Sequence, residues 1–239
     1  VLQSTITTIG SYVFSNCASL YDFDLVPGIS QVDKYAFCGC SSLKSIEITD
    51  DMTTISEGCF YGCSSLEHVF VPTTITLINQ DAFSGCTGLQ TISIANSTFF
   101  ATPYYSSSYY SFFAGDEVTV IVRAVNNSVS DSWLYNKTSG IIGIVLEEGI
   151  TTIETKAFYS TKSAKTLKLV VLPESLIDLG SYAFYDCAGL ESINLPPLLT
   201  AIQDYTFYGC TSLKTIDIHN RIRRIGSHVF DGAGLEAVV

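Results

Sequence analysis

A short pattern of apolar positions recurs along most of the chain. Apolar residues lie eight and five positions before a repeated phenylalanine, and six, nine and eleven positions after it. Most repeats also carry a cysteine three positions after the phenylalanine, so the unit is I-x-x-I-x-x-x-A-F-x-x-C-x-x-L-x-x-I-x-I-P. A fixed period of this kind is the signature of a solenoid. The repeated phenylalanines are Phe14, Phe37, Phe60, Phe83, Phe158, Phe184, Phe207 and Phe230.

Each part of the unit predicts a structural element. The segment L-x-x-I-x-I ends in period-two alternation, which is typical of a short strand with one face directed inward. The three-residue spacing of A-F-x-x-C predicts one tight helical or 3₁₀ turn with Phe and Cys pointing in. One coil cannot bury its own apolar side, so we expect the coils to stack and their strands to form a parallel sheet.

The pattern weakens between Phe83 and Phe158. Trp133 substitutes for the phenylalanine in one coil of this region, and Phe113 is a weaker centre of another. We therefore expect about ten coils of 23 residues in a single solenoid over residues 1–239. Clear coils are expected at 1–96 and 141–239, with degenerate coils and an aromatic insertion at 97–140. Because the sequence begins with Val1 and both its first and its last residue fall within a repeat, we expect a fragment of a longer protein.

Units such as MTTISEGCFYGCSSLEHVFVP and LTAIQDYTFYGCTSLKTIDIH resemble the BspA-like, treponemal-type leucine-rich repeat family. The resemblance implies a leucine-rich repeat solenoid with its parallel β-sheet on the concave face. Short 3₁₀ or helical turns, or irregular segments, are then expected on the convex side. Proteins of this family are typically exposed on bacterial or mucosal-protist surfaces, where several act as adhesins. The resemblance therefore implies a cell-surface or secreted location.

Charge and composition disfavour several classes of protein. The chain has 12 Lys and Arg against 23 Asp and Glu, a net charge of −11. Nucleic-acid binding needs a clustered basic footprint and is therefore disfavoured. With 47 % hydrophobic and 15 % charged residues, the composition excludes intrinsic disorder. The longest apolar runs, at 118–122 and 141–146, are too short to span a bilayer.

No residue pattern predicts catalysis, a cofactor or a metal site. The three histidines are widely separated, and no nucleophile elbow, phosphate loop or dinucleotide fingerprint is present. The six cysteines in the repeat position are expected to be buried, reduced thiols. A disulfide between Cys38 and Cys59 is left open. Acidic pairs at Asp22/Asp24, 50/51 and 147/148 favour a solvated acidic face over acid–base chemistry.

Candidate binding residues lie in two places. The first is the outward side of the strands, at positions eight and ten after each phenylalanine. The second is the serine-separated aromatic run 99–113, whose tyrosines suit protein recognition and sugar stacking; filling the core where the repeat lapses is the alternative role. The candidates are Asp22, Asp24, Glu47, His68 and Phe70 on the strands, and Tyr104, Tyr105, Tyr109 and Tyr110 in the run.

These observations favour a non-enzymatic protein- or glycan-binding recognition module of a cell-surface or secreted protein, such as an adhesin. An intracellular leucine-rich repeat scaffold for protein–protein interaction is the alternative, and reduced cysteines suit it. We expect a protein or glycan ligand, no nucleic-acid partner, and no membrane insertion by this segment; the oligomeric state is left open. Three N-x-S/T sequons make Asn96, Asn126 and Asn136 candidate glycosylation sites.

Overall fold

The structure is a computed structural model that describes residues 5–100, 117–131, 133–134, 140–159 and 166–239. The chain forms two compact units, unit 1 (Val1–Val120) and unit 2 (Ile121–Val239). The expectation of one continuous solenoid over the whole chain stays a prediction. Phe113, the weaker of the two expected centres in the degenerate region, lies outside the described residues.

Unit 1 is built from very short strands, and every strand pair in it is parallel. Thr8 pairs with Gln31, Thr54 with Leu77, and Val69 with Ile92, each one repeat further along the chain. The pairing order is β1–β2, β3–β5–β7 and β4–β6. The strands are β1 (Thr8–Ile9), β2 (Gln31–Val32), β3 (Thr54–Ile55), β4 (His68–Phe70), β5 (Leu77–Ile78), β6 (Thr91–Ala95), β7 (Phe99–Phe100) and β8 (Val118–Arg123), within which the division between the units falls.

Unit 2 repeats the same parallel arrangement. Its pairing order is β9–β11–β13, β10–β12–β14, β15–β17 and β16–β18. Two strands therefore recur in most coils, one before the phenylalanine and one after it. The strands are β9 (Ser128–Val129), β10 (Ile141–Leu146), β11 (Thr152–Ile153), β12 (Leu169–Val171), β13 (Asp178–Leu179), β14 (Ser192–Ile193), β15 (Ala201–Ile202), β16 (Thr215–Ile216), β17 (Arg224–Ile225) and β18 (Ala237–Val238).

The predicted fold class, a parallel β-solenoid of stacked leucine-rich coils, is confirmed, with a smaller number of turns. The structure has about eight turns instead of the expected ten or so. Within the degenerate region, residues 101–116 and 135–139 fall outside the described residues. Trp133 does take the core position of a phenylalanine there, since it is 2 % exposed and packs edge-on against Phe158 at 6.1 Å.

Stacked phenylalanine rings fill the centre of each unit. In unit 1, the Phe60 ring lies 5.7 Å from that of Phe37 and 5.4 Å from that of Phe83, and all three are fully buried. In unit 2, Phe184 stacks in the same way between Phe158 and Phe207 at 5.2 and 5.8 Å. The inward set therefore matches the sequence prediction, because an in-register stack places identical positions above one another.

The A-F-x-x-C segments are consecutive hydrogen-bonded turns, and the described residues contain no helix. Within the turn, the Cys40 amide donates to the Phe37 carbonyl (3.2 Å). The Phe37 amide instead donates to the Cys59 carbonyl of the next coil (2.9 Å). Positive φ angles at Tyr35 (57°) and Gly39 (72°) flank the turn and prevent helical continuation. The three-residue spacing thus reflects turns that hydrogen-bond between coils.

Candidate binding surface

The five strand candidates lie together on the outer side of unit 1. Parallel bridges join Asp24 to Glu47 and Glu47 to Phe70, so these three residues form a row across successive coils. Strand pairing places Ser93 next in the row, beside Phe70. Asp22, Asp24 and Glu47 are exposed, and the side chain of Phe70 is 58 % exposed. We call the outward side chains of Asp22, Asp24, Glu47, His68 and Phe70 the strand face of unit 1.

Alternation along β4 gives the strand face its residues. Val69 is 3 % exposed and points into the core, so its neighbours His68 and Phe70 both point outward. The ring nitrogen Nδ1 of His68 lies 2.8 Å from the hydroxyl of Thr91 in the next coil, which orients the imidazole toward that coil. The face therefore presents one aromatic ring and one imidazole beside three carboxylates.

The histidines do not form a common site. His219 Nε2 lies 3.0 Å from the Pro196 carbonyl oxygen, and His228 Nδ1 lies 2.6 Å from Asp231 Oδ2. Across the described ranges, no group of three His, Cys, Asp or Glu side chains is placed to hold a metal ion. The same ranges contain no helix long and apolar enough to cross a membrane.

Two of the acidic pairs have a structural role that the sequence did not reveal. The Asp51 carboxylate accepts a hydrogen bond from the Gly28 amide of the preceding coil (2.7 Å). The Glu148 carboxylate accepts from the amides of Glu174 (2.8 Å) and Ser175 (3.1 Å) in the following coil. These bonds, above all the one from the Glu174 amide, hold the pKa of Glu148 below its ordinary value. The carboxylates cap exposed backbone amides and join neighbouring coils.

The cysteines of the repeat position form a hydrogen-bonded thiol ladder. The Cys63 thiol donates to the Phe37 carbonyl (3.2 Å) and the Cys86 thiol to the Phe60 carbonyl (3.1 Å). Burial raises the pKa of the Cys40 thiol to about 11 and that of the Cys210 thiol to about 12. All eight cysteines are free thiols, including Cys38 and Cys59. Five of the six repeat-position cysteines are buried as expected, whereas Cys17, the repeat-position cysteine of the first coil, is exposed, contrary to the prediction.

The other sequence candidates divide between described and undescribed residues. Tyr104, Tyr105, Tyr109, Tyr110 and Asn136 lie outside the described residues. Two sequon asparagines are described. Asn96 is 1 % exposed, and glycosylation there stays a prediction. Asn126 is exposed, with its side-chain oxygen accepting from the Ser128 amide (3.1 Å), and stays a candidate.

Unit 2 carries an aromatic feature that sequence reasoning missed. Tyrosines of successive coils form two stacks on the turn side, with ring centroids 4.6–4.7 Å apart and planes within 8° of parallel. The signal was present in the chain, because these tyrosines recur one position after and two positions before the repeated phenylalanine. We call them the tyrosine stacks: the first is Tyr159, Tyr185 and Tyr208, and the second is Tyr182 and Tyr205.

An open cavity of about 260 Å³ lies in unit 2 beside β11. Its lining includes Asp131, Glu154 and Asp178. The Glu154 carboxylate already accepts hydrogen bonds from the Ser128 hydroxyl (2.7 Å) and the Asp131 amide (3.0 Å). The cavity therefore contains a coil-to-coil cap of the same kind as Glu148.

The comparison with protein-family models agrees with this architecture. The model of the BspA type leucine rich repeat region matches residues 1–111 and 127–239, in six copies. The comparison with curated proteins found no match.

Several solved structures are similar to the chain. A leucine-rich repeat protein from Bacteroides ovatus is 24 % identical, with a TM-score of 0.49 over 99 % of this chain and 71 % of that one. A leucine rich cell surface protein from Faecalibacterium prausnitzii is 20 % identical (TM-score 0.46; 98 % and 76 % covered). The pneumococcal vaccine antigen PcpA is 21 % identical (0.44; 98 % and 60 %). Since the family model matches nearly the whole chain, the chain belongs to the BspA-type leucine-rich repeat family.

Proposed function

We propose that the chain is a non-enzymatic recognition module of a cell-surface or secreted protein, and that it binds a protein or glycan through the strand face of unit 1. Family membership supports a binding role, because repeat solenoids bind partners on extended surfaces. The observation that carries the proposal is Phe70, a large aromatic side chain that stands 58 % exposed within a row of polar residues. Aromatic anchors surrounded by polar groups are typical of the centres of interfaces.

The chemistry of the strand face suits such a role. Phe70 supplies contact area at a low cost in conformational entropy, since a phenylalanine has only two side-chain torsions. Asp24 and Glu47 lie in the same row and are exposed, so they accept hydrogen bonds from sugar hydroxyls or from basic side chains of a protein. The net charge of −11 works against a nucleic-acid partner.

The aromatic run 99–113 is the second part of the proposed surface. It begins at β7, which pairs with β5 in unit 1, and it contains Tyr104, Tyr105, Tyr109 and Tyr110. Serine-separated tyrosines are a composition that recognition surfaces use repeatedly. Replacing residues 101–113 by a Gly/Ser linker keeps β7 and tests this part separately.

A binding screen with matched variants tests the proposal. The purified chain is applied to an array of purified extracellular-matrix proteins and to a glycan array, and each hit is measured again with Phe70→Ser and Tyr61→Ser. Tyr61 is the control, an aromatic residue of the same coil that is 46 % exposed on the turn side. Loss of an anchor of about 2 kcal/mol weakens binding about 30-fold. We expect that loss for Phe70→Ser alone; equal effects of the two variants would remove the strand face from the site.

Localisation is tested by antibody labelling of intact and permeabilised source cells. Labelling of intact cells is the expected result. Labelling only after permeabilisation would contradict the surface location and make an intracellular scaffold the better explanation.

A further inference from the structure

The tyrosine stacks of unit 2 hold partly exposed phenol rings close together and nearly parallel. Tyr185 lies 4.7 Å from Tyr159 and 4.6 Å from Tyr208, with ring planes 8° and 4° apart. Tyr182 lies 4.7 Å from Tyr205 at 8°. All five side chains are partly exposed, so small reagents reach them.

The backbone holds the neighbouring rings in place. The Asp186 amide donates to the Tyr208 carbonyl (2.8 Å), and the Tyr182 amide donates to the Asp204 carbonyl (3.1 Å). Tyr182 and Tyr205 both have a φ of 59°, a left-handed conformation that non-glycine residues rarely adopt. Because successive coils are hydrogen-bonded at these turns, each ring faces the equivalent ring of the next coil and cannot drift away from it.

We propose that the tyrosine stacks are a site of oxidative cross-linking, at which a peroxide-driven one-electron oxidant joins tyrosines of neighbouring coils as dityrosine. Each of two phenols loses one electron and one proton, and the unpaired electron spreads to the ring carbons ortho to the oxygen. Two such carbons then form a C–C bond, and each loses its hydrogen to restore the phenol. With hydrogen peroxide as the oxidant and a haem peroxidase as catalyst, one peroxide and two tyrosines give one dityrosine and two waters.

Proximity makes this coupling selective. Neighbouring rings held in contact react as an intramolecular pair, whose effective concentration far exceeds that of a second molecule in solution. Burial raises the pKa of the Tyr185 phenol, so this phenol is protonated at neutral pH and its oxidation releases a proton. The product is a covalent bond between consecutive coils, a link of the kind that a disulfide supplies elsewhere, in a chain whose eight cysteines are free.

Unit 1 provides a matched control. Tyr61 occupies the same position in its coil as Tyr185, one after the phenylalanine, but the equivalent positions of the neighbouring coils are Cys38 and Ser84. Tyr21 is 70 % exposed and Tyr61 is 46 % exposed, so both are accessible to the oxidant. Exposure alone would favour reaction at Tyr12, Tyr21 and Tyr61. Stacking instead favours the tyrosine stacks of unit 2 and, in unit 1, the Tyr12–Tyr35 pair, whose ring centroids lie 5.3 Å apart.

The test treats the full chain at low concentration with hydrogen peroxide and a haem peroxidase, then cleaves it after glutamate. Cleavage after Glu191 separates the peptide with Tyr182 and Tyr185 from the peptide with Tyr205 and Tyr208. We expect the two peptides to be recovered joined, lighter than their sum by two hydrogen atoms per cross-link. The Tyr185→Phe/Tyr205→Phe variant keeps the ring packing and should lower the yield of joined peptide about tenfold or more. The Tyr21→Phe/Tyr61→Phe variant should leave it unchanged.

Two outcomes would overturn the proposal. One is oxidation of the chain with no joined peptide across Glu191. The other is a yield of joined peptide that falls with protein dilution, because the coupling would then occur between molecules. Binding through the strand face of unit 1 is measured independently, so neither result bears on the proposed recognition function.

Discussion

Removal of the Phe60 ring is the most direct test of how the solenoid is held together. Phe60 is fully buried, and its ring lies between those of Phe37 and Phe83 at 5.7 and 5.4 Å. A buried Phe→Ala substitution costs about 3–5 kcal/mol of unfolding free energy. Each aromatic pair adds about 0.5–1.5 kcal/mol beyond the buried area. With two stacking partners lost, we expect Phe60→Ala to cost about 4–5 kcal/mol, at the upper end of the range.

Phe70→Ala is the matched control, since it removes the same ring from the outer side of the sheet. Phe70 is 58 % exposed, so less than half of its surface is buried in the folded chain. Full burial of such a side chain stabilises by about 1.5–3 kcal/mol, which leaves about 1 kcal/mol for Phe70. No closed cavity forms at an exposed position, so no further cost is expected.

Urea titrations followed by far-ultraviolet circular dichroism measure both variants against the unsubstituted chain. The expected difference between the two losses of unfolding free energy is about 3–4 kcal/mol, well above the error of the extrapolation. Equal losses of unfolding free energy would refute the assignment of Phe60 to the core and of Phe70 to the outer side of the sheet. A loss for Phe60→Ala of only about 1 kcal/mol would refute the stacked core.

Three further predictions concern the thiols, the turns and the carboxylate caps. A thiol reagent should label exposed Cys17 in the folded chain and buried Cys63 only on unfolding; equal labelling rates would contradict the buried ladder. Gly62→Ala should lower the free energy of unfolding by about 1–2 kcal/mol, because alanine is strained at its φ of 71°. Gly58→Ala should lower it clearly more, because the new Cβ also collides with a tyrosine ring of the preceding coil. Equal losses for the two variants in urea titrations would refute that contact. Glu148 has a lowered pKa, so its stabilisation is present above its ordinary value of 4.5 and lost as pH falls through the folded pKa. Glu148→Gln should therefore be the less stable chain at pH 7, and its deficit in unfolding free energy should shrink as the pH falls through the folded pKa of Glu148; a deficit that stays constant on acidification would contradict the cap.

Much of the candidate surface can be predicted from the alternation of inward and outward side chains along each strand. The inward position of Val69 dictates that Phe70 stands outward, and the period dictates that Glu47 stands beside it. Asn96 shows the limit of this reasoning. Its sequon is a local pattern, whereas its 1 % exposure is a property of the folded chain. Local sequence carries no information about such packing.

The turns show a second limit. The spacing of A-F-x-x-C fits one helical turn as well as it fits two consecutive turns. The observed structure has consecutive turns because the Phe37 amide donates to a carbonyl of the next coil. That carbonyl comes within reach only when the coils are stacked. The roles of Asp51 and Glu148 escaped prediction for the same reason, because the amides that they cap belong to neighbouring coils.

By itself, the sequence determined the class of fold, the inward ring of each coil and the outward row that contains Phe70, because these depend on periodicity within one coil. Tertiary structure decided everything that depends on the contact between coils. It set the thiols against the phenylalanine carbonyls, the carboxylates over exposed amides, and the tyrosines of unit 2 into stacks. The physical reason is that each of these interactions joins atoms one repeat apart, which come into contact only when the coils are stacked in register.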